Sequence, residues 1–208
     1  DVHDALLTEL LGPRPAPGMR PARLQALADE ISAAFGHPVN PDSPQQLLKA
    51  FKAAGIDLPS TRSHVLERVD HPAVKPLLEY KELSRLHSFY GWAWAAQWVR
   101  GGRFHPEYVV GGVVSGRWAT SGGGALQIPK VMRRAVVADQ GWTLVVADAA
   151  QLEPRVLAAM SGDAALARAA GEADLYSALA EAFGGSRESA KIAMLSAMYG
   201  GTSGDAPR

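Results

Sequence analysis

Through most of the first hundred residues, apolar positions recur every three or four residues. That spacing buries one face of a helix and predicts a helical opening. Val2, Leu6, Leu7, Leu10 and Leu11 form a short stripe that stops at Gly12-Pro13-Arg14-Pro15-Ala16-Pro17-Gly18, a stretch that cannot hold a helix. The stretch reads as a linker, and a striped helix with no neighbour in sequence to cover it suggests a chain that starts partway through a larger polypeptide. Pro21 sits at a first helical position, ahead of Leu24, Leu27, Ile31 and Phe35 on one face and Gly36 as the stop. Ser43 as N-cap and Pro44 behind it open the next helix, whose face is Leu47, Leu48 and Phe51 and whose stop is Gly55. His71-Pro72 opens the longest helical segment, with Val74, Leu77, Tyr80, Leu83, Leu86 and Tyr90 sharing a face and Lys75, Lys81, Glu82 and Arg85 lying elsewhere. Gly91 interrupts it before Trp92, Trp94 and Trp98, a cluster that is expected to pin the element to a core rather than to stack bases.

From Tyr108 the pattern turns β-like. Tyr108-Val109-Val110 and Val113-Val114 flank Gly111-Gly112, and the Gly122-Gly123-Gly124 run lets another backbone or a ligand approach closely. Val136-Val137-Ala138, a turn at Asp139-Gln140-Gly141 and the run Leu144-Val145-Val146 predict a hairpin, its second arm having the length and branching of a buried strand. Asp148 follows where that strand leaves the sheet, which puts its carboxylate at a rim facing a cleft. Helical spacing resumes at Gln151, with Leu152, Val156, Ala159 and Met160 on one face and Pro154 tolerated in a first turn that has no donors to lose. Ser161-Gly162-Asp163 breaks the chain, Asp174 to Phe183 predicts a short helix stopped by Gly184-Gly185, and Ser186 caps the last helix.

Composition narrows the picture only a little. With 208 residues, 47% of them hydrophobic, the chain can hold one large or two small domains around a packed core. Lys+Arg and Asp+Glu are both 21, so net charge argues neither for nor against nucleic acid, and a basic groove must come from local clustering. The absence of cysteine excludes disulfides and thiolate-bound metal and fits a reducing cytoplasm. No apolar run approaches the ~20 residues that span a bilayer and no basic-then-apolar leader opens the chain, so a soluble, cytoplasmic protein is expected. Histidines 3, 37, 64, 71, 87 and 105 lack the short spacings of a metal site, and none is assigned to metal.

Two places carry candidate chemistry. Asp148 and Glu153 could both face a metal or a phosphate-bearing substrate, although an Asp ahead of a helix is usually a cap. Arg187, Lys191, Leu195 and Tyr199 recur at strict i+4 spacing, which places two cations, an apolar residue and a phenol along one face, equally the mark of a solvated basic edge.

Three stretches together resemble family A DNA polymerases, the DNA polymerase I type. Asp148-Ala149-Ala150-Gln151-Leu152-Glu153-Pro154-Arg155, with its helix and Ser161-Gly162-Asp163, is similar to the palm motif Asp-Tyr-Ser-Gln-Ile-Glu-Leu-Arg. Arg187 to Gly200 looks like the fingers helix Arg-x-x-x-Lys-x-x-x-Phe-Gly-x-x-Tyr-Gly, and Ser115-Gly116-Arg117 with Leu126-Gln127-Ile128-Pro129 is similar to Thr-Gly-Arg and Leu-Gln-Asn-Ile-Pro. His71 to Tyr90 also resembles the segment at the thumb and palm junction, so the likeness runs from about residue 40 to 201.

The resemblance implies an α+β fold, helix-rich thumb and fingers segments around a partial antiparallel palm sheet of a right-hand polymerase. The boundaries it suggests are 1–40 for the end of an upstream region and a linker helix, 41–104 for thumb and junction helices, 105–163 for the palm segment and 164–208 for the start of the fingers. It implies template-directed addition of deoxynucleotides to a primer 3′ end, with primer-template DNA and dNTP as partners, two Mg²⁺ ions as cofactors and a monomeric state. By this likeness Asp148 is the catalytic metal ligand, and Arg187 and Lys191 hold the triphosphate, Lys191 counted with the catalytic groups. Glu153 closes the floor beneath the sugar and excludes a 2′-hydroxyl, Tyr199 stacks near the templating base, and Gln151, Tyr176 and Leu195 complete the nucleotide site. Arg117 reads the minor groove at the primer end, with Gln127, Arg85 and Ser88 beside it on DNA.

The chain departs from the family pattern in places. Leu195 stands for a stacking aromatic, Tyr176 for a phosphate-contacting His, Ala149-Ala150 for Tyr-Ser and Pro154 for Leu, and the Asn before Ile128-Pro129 is missing. The family's second metal-binding Asp lies in a His-Asp-Glu hairpin downstream of anything matched in the 208 residues, so a fragment, inactive by itself, is expected. A catalytically silent polymerase-like DNA-binding module is the alternative, and a metal-dependent phosphohydrolase built on Asp148 and Glu153 leaves the Arg187 to Tyr199 helix unexplained.

Overall fold

A computed structural model describes residues 2–201, which divide between Trp142 and Thr143 into two units, each treated by itself. Residue 1 and residues 202–208, the ends of the expected 1–40 and 164–208 segments, lie outside the described residues.

The first unit is built on a helical core. Helices α1 (Val2–Leu11), α2 (Ala22–Phe35), α3 (Pro44–Ala53) and α5 (Val74–Tyr90) follow the expected stripes closely, and α4 (Ser63–Leu66) and α6 (Trp92–Trp98) are added to them. Ser43 caps α3 by accepting a bond from the Gln46 amide, and Gly36 ends α2 in the left-handed region, as their sequence positions predict. Leu24, Leu27 and Ile31 of α2 are buried with Leu47 and Phe51 of α3 and with Leu77, Tyr80 and Leu86 of α5. Each such side chain withdrawn from water contributes about 1.5–3 kcal/mol. Gly91 separates α5 from α6 because a Cβ there would overlap the His87 carbonyl.

One expectation is corrected at the start of the chain. Helix α1 does have partners: Leu6, Leu7 and Leu11 are buried in the same core, the Trp92 indole donates to Asp4 Oδ1 at 2.8 Å, and Arg134 pairs with Glu9 at 3.0 Å. Its neighbours include α2, next in sequence, and side chains 88 and 125 positions further along, which a reading of adjacent sequence does not reach.

Short antiparallel pairs follow. Strands β1 (Val99–Arg100) and β2 (Arg103–Phe104) close over Gly101-Gly102, both at positive φ as a tight primed turn requires; the sequence reading passed over this Gly-Gly signal. Strands β3 (Glu107–Val109) and β4 (Ala119–Gly122) pair Tyr108 with Thr120 and Val109 with Ala119. Val113-Val114, expected to be strand, lies in the connection between them, with Val114 fully exposed. Short 3-10 turns at Ala125–Gln127 and Lys130–Ala135 complete the unit.

The larger correction concerns 136–148. The predicted hairpin does not form: Val136-Val137-Ala138 and Leu144-Val145-Val146 carry no ladder, although the turn closes with the Trp142 amide donating to the Asp139 carbonyl at 2.9 Å. Val145 and Val146 are 89% and 90% exposed. A strand exists only when its backbone groups are paired, and no described residue pairs with this run. Apolar patterning states what a segment is able to bury, not whether a partner stands beside it.

In the second unit, α7 (Leu152–Ser161) and α10 (Arg187–Met198) form where the sequence predicts helices, α8 (Ala164–Gly171) forms where none is predicted, and the helix expected over Asp174 to Phe183 is divided into α9 (Leu175–Ala178) and a 3-10 turn at Ala180–Phe183. Asp163, Asp174 and Ser186 each accept a bond from a first-turn amide. Leu175, Tyr176, Ala190 and Met194 form the buried cluster. The predicted face of α7 is another correction, since Leu152, Val156, Ala159 and Met160 are exposed while Pro154 and Ala158 are buried. The stripe is present in the sequence, but the described residues of this unit leave it uncovered.

Candidate functional site

Gln151 stands at the N-cap of α7 with φ 54° and ψ 42°, the one non-glycine residue at positive φ among the described residues. A residue with a Cβ pays about 1–2 kcal/mol for that geometry, so its surroundings must hold it. They do. Gln151 Nε2 donates to Asp174 Oδ1 at 2.5 Å, and Gln151 Oε1 accepts from the Leu175 amide at 2.9 Å and from Arg155 Nη2 at 3.4 Å.

Asp174 is the hub of this arrangement. Besides Gln151, its Oδ1 accepts from the Tyr176 amide at 3.2 Å, and its Oδ2 accepts from Ser177 Oγ at 2.7 Å and Arg187 Nε at 2.5 Å. The Arg187 guanidinium, with Ser177 second, holds the Asp174 carboxyl down to about 2, and Asp174 in turn raises the pKa of Arg187. The Arg187 Cζ lies 5.7 Å from the centre of the Tyr176 ring, a cation–π distance. Burial pushes the Tyr176 phenol up, while Arg187 beside it pulls the other way.

Two arginines of this unit are used differently. Arg155 is spent on the backbone, donating from Nε to the Ala150 carbonyl at 3.1 Å, from Nη2 to Glu172 at 3.0 Å and Ala173 at 3.4 Å, and from Nη1 to Ala170. Arg187 is anchored through Nε, which leaves the Nη edge turned away from that bond. Lys191 and Leu195 follow it, half-buried, on α10. At the end of that helix Tyr199 donates to Glu153 Oε2 at 2.8 Å. Gln151, Tyr176 and Arg187 are therefore brought together around Asp174, and Glu153 meets Tyr199.

Asp148 lies exposed on the unpaired segment, not at a strand end. Among the described residues no group of three acidic or histidine side chains stands close enough to hold a metal ion. The organising residue, Asp174, entered the sequence reading only as a helix start, and Arg155 and Ser177 had no assigned role. Their signal was the cap position itself, since an Asp two residues before Tyr176 and thirteen before Arg187 has lone pairs beyond those a cap uses.

In the first unit, Ser88 of α5 and Gln127 line one open groove of about 350 Å³ with Phe89, Trp98, Gly123 and Gly124. Arg85 is exposed one turn before Ser88. Arg117 lies in the connection between β3 and β4.

Comparison with known proteins places the chain. The description DNA polymerase family A is matched over residues 20–205. The chain belongs to DNA polymerase family A. It is similar to the thermostable DNA polymerase I of Thermus thermophilus, 35% identical over 166 residues, and to that of Thermus aquaticus, 36% identical over 166 residues. Each match covers 71% of this chain and 20% of the relative, so the chain spans about a fifth of the length of these family A polymerases. A solved structure, the POL domain of Pol1 from M. smegmatis in complex with DNA primer-template and dNTP, aligns at a TM-score of 0.73 over 96% of this chain and 38% of that one, with 22% identity. The α+β fold is thus that of a family A polymerase domain. No described helix is long and apolar enough to cross a membrane.

Proposed function

We propose that this chain supplies nucleotide and primer-template contacts to a template-directed DNA polymerase that extends a primer 3′ end, and that it is a fragment of that enzyme, without synthesis by itself. The observation that carries the reading is the Arg187 guanidinium, anchored through Nε with its Nη edge directed elsewhere, one helical turn before Lys191. Two cations at that spacing suit the phosphates of a dNTP, because charge-assisted bonds to phosphate oxygens are the strong ones. Family membership and the DNA- and dNTP-bound state of the M. smegmatis protein support it.

In this reading Glu153, held by Tyr199, forms the floor under the sugar. Leu195 and Tyr176 complete the nucleotide site, and Asp148 supplies one catalytic carboxylate. Mg²⁺, when bound, would be held in part by Asp148 and would supply charge neutralisation at the phosphates. Arg85, Ser88, Gln127 and Arg117 contact the duplex from the thumb and palm segments 41–104 and 105–163, while 164–208 begins the fingers and 1–40 leads in from upstream. The protein acts as a cytoplasmic monomer on DNA. The test is titration of the chain with a dNTP in the presence of primer-template. Arg187→Ala and Lys191→Ala are each expected to weaken triphosphate binding on the order of tenfold, and wild-type binding by both variants overturns the reading. A second reading, a silent DNA-binding module, is favoured by the exposed, unpaired setting of Asp148. It predicts steeply salt-dependent DNA binding that is indifferent to dNTP.

A further inference from the structure

The Asp174 carboxylate accepts four hydrogen bonds, from Gln151 Nε2, the Tyr176 amide, Ser177 Oγ and Arg187 Nε. A carboxylate offers about four lone-pair sites, so Asp174 is saturated and cannot turn without giving up a partner. Its donors come from three places, the N-terminus of α7, the first turn of α9 and the first turn of α10. One of them, Gln151, is itself held in a costly backbone conformation. An arginine on a solvated helix has many rotamers and loses much of that freedom on binding an anion. Here it is fixed beforehand, with Nε on Asp174 and the guanidinium on the Tyr176 ring.

We infer that Asp174 is a positioning residue for the triphosphate site: it holds the Nε edge of Arg187 so that the Nη edge is presented to the anion. The inference rests on the assignment of Arg187 to triphosphate made above. It carries a sign that separates it from charge alone. If Asp174 acted only as a negative charge near the site, removing it would strengthen anion binding. If it positions Arg187, removing it weakens anion binding even though the local charge becomes more positive. The depressed pKa of Asp174 keeps the carboxylate ionised at any pH where a nucleotide is used, so neutral Asn is the informative replacement.

The test is calorimetric titration of the chain and of its Asp174→Asn, Asp174→Glu and Arg187→Ala variants with inorganic tripolyphosphate. The Arg187 Nε–H resonance is followed in each by NMR. Asp174→Asn is expected to lose the protected Nε–H signal and to bind on the order of tenfold more weakly. Asp174→Glu, which keeps a carboxylate on a longer arm, is expected to recover part of both. Tighter or unchanged binding by Asp174→Asn, or an Nε–H signal that persists in it, overturns the positioning role while Arg187→Ala still binds weakly. Binding that is the same in wild type and Arg187→Ala instead overturns the triphosphate assignment, and the inference with it. If Asp174→Asn fails to fold by circular dichroism, Asp174→Glu decides alone, since wild-type affinity with a displaced Nε–H signal is incompatible with positioning.

Discussion

The aromatic junction of the first unit and the Asp174 cluster of the second are both dense in side-chain hydrogen bonds, yet they finish those bonds differently. At the junction the donors of Trp92, Trp94 and Tyr90 are spent inside the fold. Trp92 donates to Asp4, Trp94 Nε1 to the Gly123 carbonyl at 2.9 Å and Tyr90 Oη to the Gly124 carbonyl at 3.1 Å, while Trp94 stacks obliquely on Phe104 with ring centres 4.9 Å apart. Around Asp174 the carboxylate is saturated, but Arg187 keeps its Nη edge and Lys191 makes no hydrogen bond or ion pair among the described residues. Satisfied polar groups specify a fold; cations left over after the fold is made are what a ligand uses.

The widest gap between the regions is in stability. Trp92→Ala removes a buried ring, so a loss of about 3–5 kcal/mol is expected. Urea unfolding should show it as a large fall in midpoint, whereas Arg187→Ala should leave the midpoint almost where it was. A shift of similar size in both variants would erase the distinction. A smaller effect is expected at Gly122, where an added Cβ would overlap the Trp98 ring. Gly122→Ala should cost about 1–3 kcal/mol through displacement of that ring, seen as a change in tryptophan emission together with a lowered midpoint.

These regions were not equally visible beforehand. Helices whose stripe, cap and stop are local, such as α3 with Ser43, Pro44 and Gly55, can be read from sequence because every determinant lies within about fifteen residues. The tryptophan cluster at 92, 94 and 98 was visible as a junction. Its glycine partners were visible only as permissive backbone: the close approach at 122–124 turned out to be by aromatic rings, Trp98 against Gly122 and Tyr90 against Gly124. Leu144-Val145-Val146 failed because a strand is a property of two segments and pattern describes one. In the candidate site, Arg187, Gln151 and Tyr176 were nameable through family resemblance. Asp174, which joins them, was not, because cap chemistry and hub chemistry use the same residue type and only geometry tells how many lone pairs are filled.

The smallest expected effect separates the regions by pH. Burial lowers the pKa of His3, whose Nε2 bonds the Tyr90 carbonyl at 2.9 Å, and burial also lowers that of His87. For these groups the fold favours the neutral ring. Their contribution is fully present above the unfolded value of about 6.5 and is lost as pH falls through the lowered folded values. Asp174 is also depressed, to about 2, so its contribution holds above the ordinary carboxylate value near 4 and is lost only as pH falls toward 2. All five tryptophans, at 92, 94, 98, 118 and 142, lie in the first unit, so their emission reports that unit alone, while far-ultraviolet circular dichroism reports the helices of both. Urea midpoints followed by emission should begin to fall below about pH 6.5, and less so in His3→Gln, which keeps an N–H donor without the titration. The part of the dichroism change not mirrored in emission should hold until below about pH 4. If both signals fell together from pH 6.5, the second unit would depend on the histidines of the first. If neither fell before pH 4, the neutral, buried His3 ring would not be a feature of the fold in solution.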